Sequence, residues 1–475
     1  MQPRTRKPLP WYVTLVGLFA FTTLACTLAA DNAPPTLAPR VSATPPPTIG
    51  YATIAPGDAP ANSTVVATPA AAAPQAPAAS NLNALMNQVQ SDRLMAHVRN
   101  LQGFYTRHVN SQQDSGNRGI GAAERYIDAE FRAIAANSQG RMSVFGQDFA
   151  LEWAGVRTTQ TNVIAVIRGD EPGAGTIVIG AHYDSRGNDD TDAVGYAPGA
   201  NDNGTGVAAL IEMARVMSQR PHRATVVFVA FSAEEVGRQG SIAFVNNYIR
   251  ANNIDLTAYI NVDAIGSQRY ADGRVNDRQI RVFSQGPNDS SPSRQLARFT
   301  ETVALNYVPQ MEIVVQDALD RRGRYGDHFS FTEAGYPAVR FIEMAENTAY
   351  LDTTDTIDGV SPGYFQRATQ TILTVVTVMA DGLQPPTNIT LRDNGNGTQT
   401  LVWNAVPNAG GYLVALRTPD SMIFQQFETT QNSVTWDGFA AYESIAVAAK
   451  DSEGLMGPLS PEIYVSQTIQ LAGNP

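Results

Sequence analysis

Between Val163 and Met379 the chain alternates two kinds of apolar segment, and this alternation narrows the fold more than any other feature. Short apolar runs lie at Val163 to Ile167, Ile177 to Gly180, Thr225 to Phe231, Tyr259 to Val262 and Ala338 to Ile342. Their length and β-branched content suit strands buried on both faces. Between them Val207 to Met217, Ser241 to Ile249, Ser293 to Leu305 and Phe365 to Met379 carry apolar residues at helical spacing, as do Leu82 to Val109 and Gly121 to Ala136 upstream. A strand without a polar face needs cover on both sides, and the helices can supply it. The expected class is α/β. Ligands of such sheets gather at the loops leaving the C-terminal ends of the strands.

The flanks differ in kind. At 475 residues the chain has room for two or three domains. Its start is basic (Arg4, Arg6, Lys7), and the apolar run from Trp11 to Ala25 is shorter than the ~20 residues of a membrane-spanning helix. That pattern reads as a signal peptide over 1–26 and an exported protein. The single cysteine, Cys26, closes Thr23-Leu24-Ala25-Cys26, which resembles a bacterial lipobox except for Thr23, where leucine is usual. Lipidation at Cys26, with membrane attachment, and ordinary cleavage after Ala29 or Ala30 both stand as readings. Residues 27–80 are rich in Ala, Pro and Thr, too poor in large apolar residues to offset ordering entropy, and read as a semi-extended spacer. Residues 81–382 hold the alternating region. Beyond Pro385-Pro386, residues 383–475 show short alternating strands and turns such as Asn394-Gly395-Asn396-Gly397, the pattern of a small all-β sandwich. Leu401-Val402-Trp403 and Gly411-Tyr412-Leu413-Val414 resemble the inner strands of a fibronectin type III domain, with Trp403 and Tyr412 as core residues. Such a domain serves either as a contact to cell surface or polysaccharide or as a spacer.

A formal charge of −11 and a pI near 5.0 exclude nucleic acid as an expected partner, since phosphates demand a basic surface. One cysteine excludes a disulfide framework and multi-cysteine zinc sites, and with five histidines any metal centre must lean on carboxylates. Four segments around the strands carry such residues: Gly180 to Ser185, Pro198 to Gly206, Ala230 to Gly237 and Asn261 to Gly266. Each alone is weak, because His-x-Asp, Glu-Glu and Asp-Asn-Gly are common turn sequences. Adjacent carboxylates at the ends of buried strands are costly unless a cation neutralises them. Their order, glycine context and strand-end placement together point to a metal site, and imidazole with carboxylates suits zinc.

With these motifs in place, the stretch from about Asn162 to Asp381 resembles peptidase family M28, which includes bacterial dizinc aminopeptidases. The resemblance implies a mixed, mostly parallel sheet between helices and a co-catalytic pair of zinc ions acting on peptides. By resemblance His182 and Asp263 bind the first zinc, Asp202 bridges both and Glu235 binds the second. Asp184 then orients His182, and Glu234 is the general base. The chemistry calls for the same residue types. Two metals about 3.5–4 Å apart need a bridging carboxylate, and a glutamate beside them can carry the proton from water to the leaving amine.

One family feature is missing. Tyr350-Leu351-Asp352-Thr353-Thr354-Asp355-Thr356 matches the family's Tyr-His-Thr-x-x-Asp-Thr segment at Tyr350, Asp355 and Thr356, but Leu351 stands where the second zinc's histidine belongs. Three readings follow: Asp352 supplies the oxygen, His328 reaches in, or the second site is weak or absent. Tyr350 reads either as a donor to the tetrahedral oxyanion or as a packed loop aromatic. The leading expectation is a zinc-dependent exopeptidase, an aminopeptidase. Its rivals are a single-zinc enzyme like glutaminyl cyclase and a non-catalytic surface binding protein with a degenerate peptidase domain.

Overall fold

The apolar runs become the middle of one sheet. The computed structural model describes residues 77–284, 290–321, 323–345 and 352–466. Outside these lie the signal segment with Cys26, nearly all of the Pro/Ala/Thr-rich stretch, Tyr350 and Leu351. Three helices come first: α1 (Pro77–Met86), α2 (Ser91–Gly103) and α3 (Gly119–Ala136). A long hairpin follows, β1 (Met142–Trp153) and β2 (Val156–Ile167), turned at Ala154 and Gly155. Then come β3 (Thr176–His182), α4 (Gly206–Met217), β4 (Thr225–Phe231), α5 (Gln239–Phe244) and β5 (Leu256–Val262). They are followed by β6 (Gln279–Ser284), α6 (Pro292–Tyr307), β7 (Glu312–Val315), α7 (His328–Glu333), β8 (Ala338–Glu343) and α8 (Pro362–Asp381).

The eight strands pair in the order β1-β2-β4-β3-β5-β8-β6-β7. The central β4, β3, β5 and β8 run parallel, as do β6 and β7, while the hairpin and β6 join antiparallel. The sheet is therefore mixed and mostly parallel, as expected. Period-two alternation sends Ile177, Ile179 and Ala181 of β3 into a core shared with α2, α3, α4, α6 and α8. Val178, Val227, Val229 and Tyr259 point the other way, against Phe244 and Phe331 of α5 and α7. Each aliphatic side chain withdrawn from water in this way contributes roughly 1.5–3 kcal/mol. Among the described residues no helix is long and apolar enough to cross a membrane.

Two readings shift in detail. The helical spacing over Leu82 to Val109 is split, because Gln90 donates its backbone N–H to Glu212 across the fold (2.9 Å) and α2 stops at Gly103. The strands β1, β6 and β7 lie outside the expected runs. β1 lies at the sheet edge with most of its side chains in contact with solvent.

Downstream, β9 (Thr390–Asp393), β10 (Gln399–Val402), β11 (Gly411–Arg417), β12 (Gln425–Thr429), β13 (Ser433–Trp436), β14 (Ser444–Lys450) and β15 (Ile463–Tyr464) form two antiparallel sheets, β13-β10-β9 and β12-β11-β14-β15. Trp403 and Tyr412 meet edge-on in their shared core with ring centroids 5.2 Å apart. The opposite face of the four-stranded sheet, Leu413, Ala415, Ala446 and Ala448, joins the main core.

Candidate functional site

His182 is the last residue of β3, Glu234 and Glu235 follow β4, Asp263 follows β5, and Asp202 lies in the loop that enters α4. Parallel neighbours end side by side, so the four loops converge at one edge of the sheet. His182 Nε2 lies 3.2 Å from Asp202 Oδ1, 3.6 Å from Asp263 Oδ1 and 4.0 Å from Glu234 Oε2. Two sets of ligand-type atoms, His182–Asp202–Asp263 and His182–Glu234–Glu235, each fall within 4.8 Å. They share a cavity of about 450 Å³.

The turns that aim these side chains are held by hydrogen bonds. Asn203 accepts from the backbone N–H of Gly206 (2.9 Å) and Ala264 (3.2 Å) and donates to the carbonyl of Val262 (2.9 Å), lacing the Asp202 loop to the end of β5. Ala233 and Ala264 take positive φ, 62° and 51°, so the chain bends sharply beside Glu234 and Asp263. The Asp184 carboxylate receives the backbone N–H of Glu234 (3.1 Å) and Glu235 (3.0 Å), and its Oδ1 lies 3.5 Å from His182 Nδ1. Asp355 does the same for the facing loop, accepting from the N–H of Asn201 and Asp202 at 3.0 Å each. Arg340 on β8 bridges Asp263 Oδ2 (3.0 Å) and Asp320 Oδ2 (2.7 Å). Arg107, fully buried, donates to the carbonyls of Tyr183 (2.6 Å), Pro198 (2.7 Å) and Gly199 (2.8 Å), joining the His182 and Asp202 loops. Sequence reasoning passed over Arg107, Asn203 and Arg340. An isolated arginine carries no motif, Asn203 lay within the Asp-Asn-Gly segment without a role of its own, and Asp355 was matched in the Tyr350 to Thr356 segment.

Burial dominates the electrostatics. It pushes Glu234 well above the ordinary carboxyl range, and Glu235 to about 8, where Asp202 adds repulsion. Asp263 is held below its ordinary value against its own burial, because Arg340 and then His182 favour the anion. Asp263 Oδ1 and Glu235 Oε1 are buried with no hydrogen-bond partner. Unsatisfied carboxylate oxygens around one imidazole fit a divalent cation, and the donor set suits zinc. His182, Asp202, Asp263 and Glu235 would hold it.

The remaining candidates fall elsewhere. The structure does not bring Asp352 to this cluster: it closes its own turn, accepting from Thr353 Oγ1 (3.1 Å) and the N–H of Thr354 (3.0 Å). A short Asx turn beside Asp355 engages Oδ1 of the residue that the one-residue shift was to make a ligand. His328 is buried against the Leu319 carbonyl (3.0 Å) and Asp320, outside the ligand groups. His97 pairs with Tyr126, His108 with the Asp190 carbonyl and His222 with Asp381. Tyr350 and Leu351 lie outside the described residues.

Known proteins place this geometry. The model of peptidase family M28 matches residues 162–376. A protein of the fungus Leptosphaeria maculans, described as a probable zinc metalloprotease, is 32% identical over 380 residues, 72% of this chain and 87% of its own length. One of Pyrenophora tritici-repentis with the same description is 32% identical over 354 residues, 66% of this chain and 80% of its own. Among solved structures, the LapA aminopeptidase of Legionella pneumophila superimposes with a TM-score of 0.50 at 21% identity, over 62% of this chain and 73% of that one. LapB of the same organism gives 0.51 at 22%, over 62% and 74%. These two share the fold. The match to the Leptosphaeria protein covers most of both chains, and the family model spans all four loops of the cluster, so this chain belongs to peptidase family M28 and is a zinc metallopeptidase.

Proposed function

We propose that the chain is an exported exopeptidase that removes residues from the amino end of peptides, with Glu234 as general base. The observation that carries this reading is the placement of two adjacent glutamates on one cavity. Asp184 clamps both backbone N–H groups, Glu235 contributes to the ligand set, and Glu234 Oε2 stands 4.0 Å from His182 Nε2 in the same cavity. When bound, zinc makes water acidic near neutral pH and polarises the scissile carbonyl. Glu234 Oε2 takes the water's proton and delivers it to the leaving amine. Asp184, behind His182 Nδ1, fixes the ring so that Nε2 faces the ligand set. Two ions are proposed, sharing Asp202, with Glu235 on the second. Tyr350 is the proposed donor to the oxyanion.

The choice of the amino end is supported by likeness of fold to LapA, an aminopeptidase. Export is supported by the basic start and apolar run, and membrane attachment by Cys26 at the end of that run. The C-terminal sheets are proposed as a fibronectin type III-like module contacting cell surface or polysaccharide. Aminoacyl-p-nitroanilides and N-blocked peptides, each with and without zinc, test the reaction. Zinc-dependent turnover of free-amine substrates alone is expected. Equal cleavage of blocked peptides contradicts the amino-end assignment, pyroglutamate formation points to a cyclase, and silence in every arm contradicts catalysis.

A further inference from the structure

Among the described residues the three sheets have six edge strands, and five of them are short. β7, β9 and β13 have four residues each, β12 has five and β15 two. A short edge offers little template for another chain. β1 is different, with 12 residues paired to β2 in unbroken register from Met142↔Ile167 to Trp153↔Val156. It carries no bulge, proline, lysine or arginine, the devices by which edge strands discourage further pairing.

The turn of the hairpin settles which backbone groups stay open. Ala154 and Gly155 both take positive φ, 49° and 78°, the pattern of a two-residue type I′ hairpin. In such a hairpin the flanking residues, Trp153 and Val156, exchange hydrogen bonds, and bonded and non-bonded positions alternate from there along the pair. The odd-numbered residues of β1 therefore turn their N–H and C=O toward β2, and the even-numbered ones turn theirs outward. Met142 shows this parity, because its N–H goes to Ser138 Oγ (3.1 Å). Among the described residues nothing meets the outward backbone groups of Val144, Gly146, Asp148, Ala150 and Glu152. All of these except Val144 are exposed.

We propose that this edge pairs with β1 of a second copy of the chain, antiparallel about a two-fold axis through Gln147. Outward groups then oppose outward groups. Val144 faces Ala150 of the second copy and Gly146 faces Asp148, each pair exchanging two N–H···O bonds. On the other face of the sheet Phe145 meets Phe149 of the second copy, and the reverse. Both rings are only partly covered within one chain, at the margins of two different apolar clusters. They occupy non-bonded positions, where side chains across the strands come closest. The charges agree with this register. Asp148 and Glu152, the two carboxylates of β1, fall opposite Gly146 and Met142, whereas an axis one residue along would set Asp148 against itself. A second copy supplies this match by symmetry. Its strands run the opposite way, so the two metal clusters lie at opposite ends of the joined sheet.

One strand pair is a small interface, and association in the micromolar range is expected. Sedimentation of the purified chain across that range should show a monomer–dimer equilibrium. Ala150→Pro removes an outward N–H and spares the bonds to β2. It should raise the dimer dissociation constant roughly tenfold or more in protein that still melts cooperatively. A monomer at every concentration up to hundreds of micromolar overturns the proposal, and so does a dimer indifferent to folded Ala150→Pro. Cross-linking reads the register separately, and decides the matter if Ala150→Pro does not fold. In a Cys26→Ser background, Gln147→Cys should oxidise to a disulfide-linked dimer, because the axis sets that residue against its own copy, and Glu152→Cys should not. No link at Gln147, or equal linking at both positions, overturns the proposal.

Discussion

The Asp184 carboxylate accepts the main-chain N–H groups of Glu234 and Glu235 and lies 3.5 Å from His182 Nδ1, and the Asp184 backbone carbonyl stands 3.2 Å from the same nitrogen, so one residue touches the imidazole and both glutamates. That arrangement lets Glu234 and Glu235 differ in role although they are neighbours in sequence. Glu234→Gln keeps the shape and the clamp but removes the proposed proton carrier. The rate should fall by roughly 10²- to 10⁴-fold with bound zinc unchanged, measured by steady-state kinetics beside metal analysis. The buried carboxyls also set a pH dependence. Glu235 moves from an ordinary 4.5 to about 8, and Asp327 and Asp355 from 3.8 to about 7, chiefly through burial. A raised carboxyl keeps its proton in the folded chain where the unfolded chain has lost it. Stability from these groups is therefore present at acid pH and falls as pH rises through about 4 to 8. Asp263 works in the opposite sense, below its ordinary range. Zinc needs the ionised ligands, so it should offset the fall. Thermal melts of metal-free protein should show Tm dropping across that window, with the gap to zinc-loaded protein widening. A metal-free Tm that rises with pH contradicts this.

The loops inherit their positions from strands and helices packed at close range. At Gly206, the first residue of α4, a Cβ would stand 2.4 Å from the carbonyl oxygen of Val262 on β5 and 2.3 Å from Asn203 Oδ1. A backbone oxygen cannot step aside, so Gly206→Ala must push α4 from β5 and loosen the Asp202 loop. An overpacking cost of about 1–3 kcal/mol in chemical denaturation is expected, with weaker zinc binding. The elements were legible where their pattern was pure. The central strands β3, β4, β5 and β8 are buried on both faces and read as largely apolar runs, and the ligands at the ends of β3, β4 and β5 stood out with them. The edge strand β1 and the short β7 had no such run. The supports were harder to see for a different reason. Besides the nearby Leu101 carbonyl, Arg107 touches the carbonyls of residues 183, 198 and 199, and only the folded topology brings those three to residue 107. Asp352 shows the converse, where a plausible neighbour in sequence is turned away by a local hydrogen bond.

In the whole molecule the C-terminal sheets are bound to the α/β part by more than a linker. Arg298 on α6, fully buried, meets Glu462 at 2.5 Å, and Arg417 on β11 reaches the other oxygen of the same carboxylate at 3.2 Å. Tyr307 Oη donates to the carbonyl of Gly454 and accepts from the N–H of Met456, 2.9 Å each. The described residues of the α/β part and of the C-terminal sheets fall in one compact unit. The change of pattern near Pro385 marks a change of element type, but the shared core was invisible in sequence because Leu413, Ala415, Ala446 and Ala448 read as ordinary strand interior. One cooperative unfolding transition is expected by calorimetry; two well-separated transitions would show that the sheets melt independently. The claim on which the rest depends is that hydrolysis runs at the carboxylate and imidazole cluster through zinc. The direct measurement strips the purified chain with a chelator and follows cleavage of a free-amine peptide as zinc is added back. The account predicts that activity disappears and returns with zinc in the wild type, but does not return in Asp202→Ala or Asp263→Ala. Stripped protein that cleaves as fast as loaded protein would contradict it.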